Sequence, residues 1–346
     1  MTERLRILSI GAGAIGTYIG GSLALKGHQV VFVEREDTAE EIRSRGLWLK
    51  LGEDEHHIPD PILTQSVEEA VTKFNFDVAL FALKSFDTET FLTALPLSIA
   101  SFPPILCLSN GIDNEPTLVR KFGIDGVIAG TVTSAIGRRG AGDIVLERLR
   151  GMGIAGSHDL SGILLDSFKE AGLNPRLYPD AAAMKWSKML TNLIANASSA
   201  ILDLSPAEIF SHPALYQLEI SQLRETLAVM KAQNIKVVDL PGTPVRALAF
   251  AVRSLPMVIS RPLITKAVAS GRGGKMPSFH IDLHGGRGKS EVGYLNGAVV
   301  REGERLGIPT PANSLLAVTL LDLIDKKLLV DDYRKNPARL LDAFEG

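Results

Sequence analysis

The stretch "RILSIGAGAIGTYIGGSLALKGHQVVFVER", residues 6–35, restricts the folds open to this chain more than any other part of it. A β-rich run ends in Gly11, Gly13 and Gly16, spaced G-x-G-x-x-G; an apolar helical segment then runs to about Lys26, and a second β-rich run, "QVVFV", follows. Each glycine answers a physical need: a tight turn, close backbone approach to a pyrophosphate, and close packing of helix on strand. From Gly11 through Ala12, Gly13, Ala14 and Ile15 to Gly16, the segment offers backbone N–H groups and a helix dipole that favour phosphate. Strand, turn, helix and second strand together read as a dinucleotide-binding βαβ unit. A glycine-rich turn in an unrelated α/β protein is the plain alternative.

The second strand ends in Glu34 and Arg35, which argue in opposite directions. A carboxylate there accepts both ribose hydroxyls of NAD, whereas an arginine pairs with the 2′-phosphate of NADP. One residue of register decides between them, and two solvated charges at a strand end remain the simpler reading.

Beyond this unit, "DVALFAL", "PILCLS" and "GVIAGT" alternate with helical segments, the rhythm of a parallel sheet with crossover helices. Residues from about Thr131 to Gly156 break that rhythm with short runs and glycine turns, as an antiparallel extension of the sheet would. From about Asp180 the β-rich runs give way to long amphipathic patterns such as "LYQLEISQLRETLAVMKAQN", whose Asn234 suits a left-handed helix end. The expected architecture is α/β: a Rossmann-like dinucleotide-binding domain over 1–179 and an all-helical domain over 180–346, divided near Pro179 in "RLYPDAA". At 346 residues, with 45% hydrophobic and 22% charged side chains, the chain is long enough for two cores. Thirty-seven basic against 39 acidic residues, a formal charge of −2, suggest neither a nucleic-acid nor an anionic-membrane partner. The single cysteine, Cys107, cannot form an internal disulfide and reads as a packed strand residue. "MTERLRILSI" carries charges where a signal peptide needs an apolar core, and no apolar run nears the roughly 20 residues of a membrane span, so the expected location is cytoplasmic.

A Rossmann-like domain names no reaction, so the chemistry must lie elsewhere. In "MKWSKMLTNLIAN", Lys188, Asn192 and Asn196 recur at steps of four, which on a helix makes one polar stripe beside apolar Trp186, Met189, Leu190, Leu193 and Ile194. Such a stripe suggests a hydrogen-bond network or a ligand site, with an exposed helix face as the bland alternative. Lys185, three residues earlier, could be mistaken for the key ammonium. In "HIDLH", His280 and His284 are spaced to chelate a metal on a helix, but with Asp282 on another face and no third ligand in view, no metal is expected.

With "GAGAIG" at Gly11, "ALKSFD" around Lys84, "LSNGID" around Asn110, "WSKMLTNLIAN" around Lys188 and "SEVGYLNG" around Glu291, the chain resembles the ketopantoate reductases (2-dehydropantoate 2-reductases), relatives of the 6-phosphogluconate dehydrogenase-like fold group. The resemblance implies NADPH-dependent reduction of 2-dehydropantoate to pantoate, a step of pantothenate biosynthesis. Lys188 matches the lysine that protonates the ketone oxygen, and Glu291 a carboxylate touching the cofactor side and the substrate, whose charge would keep that lysine protonated if the two approach closely. Asn192 and Asn196 match amides that hold the substrate, Ser278 a serine on its carboxylate, and Asn110 an asparagine touching nicotinamide ribose and substrate. Arg35 and Lys84 match contacts to the NADP phosphate, and Ala135 a main-chain cofactor contact. Ser278 could equally just start a helix with Pro277. Lys185 matches no role and is expected at the surface.

Three departures bear on these roles. Glu34 stands where the family has an uncharged residue, which leaves NAD open beside NADP. A further substrate-side asparagine of the family falls near Pro206 and is missing. The 237–276 segment is longer than the family's and carries Arg261, Lys266, Arg272 and Lys275, as a lid, an oligomer contact or a solvated basic patch. The expected partner is a small 2-keto acid, with a homodimer left open. Two alternatives stand beside this reading: a reductase of another 2-keto acid, and a dinucleotide sensor without turnover, to which retention of Lys188 and Glu291 is unsuited.

Overall fold

Apolar runs such as "ILSI" and "VALF" become strands buried on both faces, as the strands of a parallel sheet must be, and runs of mixed polarity form the remaining strands. In chain order they are β1 Arg6–Ile10, β2 Gln29–Val33, β3 Leu47–Leu51, β4 Asp54–Ile58, β5 Ile62–Thr64, β6 Val78–Phe81, β7 Ile105–Cys107, β8 Val127–Val132, β9 Ala135–Gly140, β10 Asp143–Arg148, β11 Met152–Ala155 and β12 Pro175–Tyr178. The computed structural model describes residues 3–95, 102–272, 276–286 and 288–345, with 269–272 and 345 described by backbone alone. The chain divides into two compact units: Met1–Lys185 with Leu240–Thr243, and Trp186–Asp239 with Pro244–Gly346.

The first unit is built on an eight-stranded sheet in the order β12-β11-β8-β7-β6-β1-β2-β5, parallel from β8 through to β5. From β1 the chain passes to β2 on one side and later to β6 on the other, so the strand order reverses at β1, where ligands of such sheets bind beyond the carboxyl ends. Leu8, Ile10, Val31, Ala79, Phe81, Ile105 and Cys107 form one core cluster, each at 2% exposure or less. Burial pushes the Cys107 thiol upward in pKa, so it stays a protonated packing group.

The expected antiparallel extension over residues 131–156 divides in two. Only β11 extends the main sheet, antiparallel to β8 through Met152↔Val132 and Gly153↔Thr131. The turn at Gly142, φ +64°, folds β10 back on β9, and these two join β3 and β4 in a separate sheet ordered β4-β3-β10-β9. Its polar side is tied by charge: the Arg139 guanidinium lies 2.8 Å from Glu55 and 2.7 Å from Asp143.

The described residues of the second unit form helices. The amphipathic run becomes a helix over Pro213–Ala232, started by Pro213 in its first turn and by the His212 side chain accepting the Leu215 N–H. Asn234, at φ 57°, turns the chain out of it, as read from the sequence. The 237–276 segment largely folds into helices, Val245–Ser254 and Met257–Arg272, and Lys275 lies outside the described residues. No described helix is long and apolar enough to cross a membrane.

Candidate active site

Gly11, at φ +95°, makes the turn after β1, and its N–H donates to the Val33 carbonyl of β2. A Cβ on Gly16 would lie 1.9 Å from the Gly11 oxygen, so no larger residue fits there. Gly13 differs, because a Cβ on it would meet nothing within 4 Å. It caps the Ala14–Ala24 helix, so open space lies where a phosphate would approach that helix start through Ala12, Gly13, Ala14 and Ile15. These residues fit the pyrophosphate of a dinucleotide.

At the end of β2, the Glu34 carboxylate takes N–H donors from both neighbours of interest: Ala12 at 2.9 Å and Arg35 at 3.0 Å. Glu34 therefore braces the glycine turn and carries negative charge to its rim. Arg35 is exposed and caps the Glu36–Arg45 helix.

Lys84 follows β6 and Asn110 follows β7, at the same edge of the sheet. Buried polar groups lock these two loops together. The Asn110 carbonyl accepts from Ser85 Oγ at 2.8 Å and from Asn114 Nδ2 at 2.7 Å, and Ser109 Oγ donates to the Leu83 carbonyl. Ala135 opens β9 directly after Ser134, whose hydroxyl accepts the Gly151 N–H at 2.9 Å. Its role there would be a backbone one.

Lys185 is not at the surface. It is 6% exposed, and its ammonium lies 2.6 Å from Glu115, 2.7 Å from the Ser109 carbonyl and 3.3 Å from the Gly130 carbonyl. Three helical steps turn it roughly 60° from Lys188, and the partner that draws it inward sits 70 residues away. It therefore ties residues 181–185, the part of the helix Ala181–Leu193 that belongs to the first unit, to β8 and to the chain leaving β7.

Lys188 and Asn192 lie further along that helix, both half-buried. The stripe does not continue on one straight helix. Ala195 adopts φ 50°, and Asn196 starts a second helix, Asn196–Leu202. The cause is a buried carboxylate: Glu219, fully inaccessible, accepts the Ala195 N–H at 2.8 Å and the Ser198 hydroxyl at 2.6 Å. Gln222 adds a donor to Glu219 at 2.7 Å and receives Asn296 Nδ2 at 2.9 Å, so a buried polar chain stands behind the break. The kink turns Asn196 back on Asn192, whose carbonyl accepts its amide at 3.0 Å. The remaining amide hydrogen points to Ser278 Oγ at 3.3 Å, and Asn196 Oδ1 accepts the Phe279 N–H at 3.0 Å. Asn192, Asn196 and Ser278 are thus brought together, while Asn196, 4% exposed, spends its amide on fixing Ser278. Ser278 also begins a helix, Ser278–His284, behind Pro277, as the plainer reading of it expects.

Glu291 is 1% exposed and opens a short turn of helix behind Ser290, which accepts the Val292 N–H. Near Pro206, a helix start with a Ser205–Glu208 capping box occupies the place of the missing asparagine. Sequence reasoning missed Glu115, Glu219 and Gln222. The signal was present in "LYQLEISQLRETLAVM", where Glu219, Gln222 and Thr226 fall on one helical face, too close to the apolar stripe to be solvated.

Two regions match described families: residues 7–157 match "Ketopantoate reductase PanE/ApbA" and residues 180–323 its C-terminal counterpart. The chain is 26% identical over 326 residues to a 2-dehydropantoate 2-reductase of Archaeoglobus fulgidus, covering 92% of this chain and 96% of that one. Against the corresponding enzyme of Lactococcus lactis the identity is 24%, over 89% and 94% of the two chains. Among solved structures, a PanE/ApbA family ketopantoate reductase of Ralstonia eutropha superposes with a TM-score of 0.77 at 27% identity, covering 93% of this chain and 99% of that one. A D-mandelate dehydrogenase, solved with NADH and anilino(oxo)acetate, gives a TM-score of 0.76 at 22% identity over 92% and 98% of the chains, a likeness of fold.

Proposed function

From the premise that the chain belongs to the ketopantoate reductase family, we propose that it reduces 2-dehydropantoate to pantoate with NADPH. The family makes it an oxidoreductase that uses a nicotinamide dinucleotide. One observation supports the reading of this chain: Lys188 and Asn192 share one helix, and beyond the Glu219 kink Asn196 hydrogen-bonds both the Asn192 carbonyl and Ser278, which joins substrate-side polar groups to the helix that carries the ammonium. The bound dinucleotide would supply a hydride to the keto carbon. As that carbon becomes tetrahedral, charge grows on the ketone oxygen, and the Lys188 ammonium donates a proton to it, leaving an amine that solvent recharges. A Glu291 carboxylate close to that ammonium would favour its charged form. Ser278, held by Asn196, and Asn192 bind the substrate's carboxylate end; Asn110 spans nicotinamide ribose and substrate.

Arg35 supports NADPH, since its exposed guanidinium at the end of β2 suits a 2′-phosphate. Lys84 adds a second cation to the phosphate side, and Ala135 a backbone contact. Glu34 supports the second reading, NADH, because its carboxylate sits on the Ala12 N–H, where a ribose diol could add to it. For the substrate, the missing asparagine near Pro206 favours as second reading another 2-keto acid, and the likeness of fold to a D-mandelate dehydrogenase, by its name an enzyme of a 2-hydroxy acid, is in keeping with it. The test is dinucleotide oxidation with 2-dehydropantoate and a panel of 2-keto acids, using NADPH and NADH in turn. Highest kcat/KM for 2-dehydropantoate with NADPH supports the proposal. A better keto acid replaces the substrate assignment, and tight dinucleotide binding without turnover of any would make the protein a sensor.

A further inference from the structure

Away from Lys188, two imidazoles and a carboxylate of the second unit converge. His280 and His284 lie one turn apart on the helix Ser278–His284, their rings stacked at 4.2 Å between centroids. The third group is Asp203, 77 residues away in sequence, whose Oδ1 lies 2.7 Å from His280 Nε2. One ligand atom from each of the three falls within 4.8 Å of the others. Asp203 reaches this place because it ends the Asn196–Leu202 helix in a left-handed conformation, φ 51°, an uncommon one for a residue with a side chain. His284 Nε2 faces the Ala200 carbonyl at 3.0 Å; a carbonyl only accepts, so this nitrogen carries a proton, and in the neutral ring the lone pair is on Nδ1. An imidazole with one N–H fixed by a backbone carbonyl is the usual form of a metal-bound histidine.

We propose that Asp203, His280 and His284 form a binding site for a borderline divalent cation of the Zn²⁺ class, clipping the helix Asn196–Leu202 to the helix Ser278–His284. Two imidazoles and one carboxylate suit Zn²⁺ rather than Mg²⁺ or Ca²⁺, which prefer oxygen ligands throughout. Metal–ligand distances near 2.0–2.2 Å hold three ligand atoms roughly 3.3 Å apart, so the cluster must open slightly at the His280–Asp203 bond and close elsewhere. The cation takes the place of the proton on His280 Nε2, and that proton leaves to solvent. Arg334, whose Nε lies 3.6 Å from Asp203 Oδ2, occupies the outer carboxylate oxygen and opposes the cation electrostatically. Glu208 feels the opposing charges of Asp203 and Lys335, Asp331 pairs with Arg334 at 3.1 Å, and Asp282 lies buried between the two histidines on their helix. The inference does not rest on the reductase reading. The two helices it joins nonetheless begin at Asn196 and Ser278, so the clip also steadies that pair.

Untagged full-length protein is titrated with Zn²⁺ by calorimetry, in two buffers of different ionisation enthalpy. The expected result is one saturable site, proton release on binding, and a melting temperature that rises with Zn²⁺. Asp203→Asn, His280→Gln and His284→Ala should each weaken binding more than about tenfold, whereas His56→Ala on β4 should leave it unchanged. Co²⁺ absorption of the unmodified protein gives a reading that needs no variant to fold: intense visible bands mark a nitrogen-bearing four-coordinate site. No saturable binding of either metal, or binding that survives the three substitutions or is lost with His56→Ala, overturns the proposal.

Discussion

Lys185→Met removes an ammonium from a pair whose side chains are 6% and 14% exposed, and so strands the Glu115 carboxylate in the interior. It also takes a donor from the Ser109 and Gly130 carbonyls. Breaking one side of a buried pair costs roughly 3–5 kcal/mol, most of it from the charge left behind. The first unit holds 185 residues of Met1–Lys185 and four of Leu240–Thr243, 189 in all, a size at which 1 kcal/mol shifts Tm by about 2–4 °C. The melting temperature of that unit should therefore fall by roughly 6–20 °C. Glu115→Leu alone should also be destabilising, through the unpaired ammonium. The double variant Lys185→Met/Glu115→Leu should melt closer to the unmodified protein than either single variant, because neither charge remains. Calorimetric melting of all four proteins is the assay. A Lys185→Met protein that melts unchanged, or a double variant whose loss equals the sum of the singles, would refute the buried-pair account.

Arg35→Ala should lower kcat/KM for NADPH with little change for NADH; loss of NADH use on Glu34→Ala, with NADPH use intact, would make Glu34 the ribose reader. Glu219→Ala leaves the Ala195 N–H and Ser198 hydroxyl unsatisfied behind the kink, at about 1–3 kcal/mol for each buried group, and should raise KM for the keto acid by loosening Asn196; wild-type KM and stability would show the kink to be self-supporting. His28 accepts the Leu5 N–H through Nδ1 and is buried, so burial holds its pKa below 6.5. The unfolded chain then takes up a proton first, and stability present above pH 6.5 declines as pH falls through that value toward the lower folded pKa. Denaturant midpoints measured on both sides of it should show this slope flattened in His28→Gln, and an unchanged slope would count against the assignment.

The glycine turn was readable because its information is local: three glycines, a strand before and a helix after fix the backbone with no distant partner. The parallel strands were readable for a related reason, since burial on both faces writes itself as an uninterrupted apolar run such as "VALF". The β3–β4 hairpin was not, because "DEHHI" is polar on a sheet whose outer side meets water. Lys185 and Lys188 look alike in a helical repeat; only Glu115, 70 residues earlier, separates a buried strut from a candidate acid. The kink at Ala195 is equally non-local, being written in a carboxylate of another helix. Asp203 escaped for both reasons, a left-handed helix end joined to a histidine 77 residues on.

The central claim is that Lys188 delivers a proton as charge develops on the ketone oxygen, and the measurement that addresses it is kcat of Lys188→Ala with 2-dehydropantoate and NADPH, beside NADPH affinity by fluorescence. A donor needed mainly in the transition state changes turnover rather than cofactor binding. The account predicts a fall in kcat of roughly 10²- to 10⁴-fold, with NADPH affinity, set by the Gly11–Gly16 turn and Arg35, within about twofold of the unmodified protein. Turnover within a few-fold of the unmodified enzyme would contradict it and return Lys188 to an ordinary place on its helix.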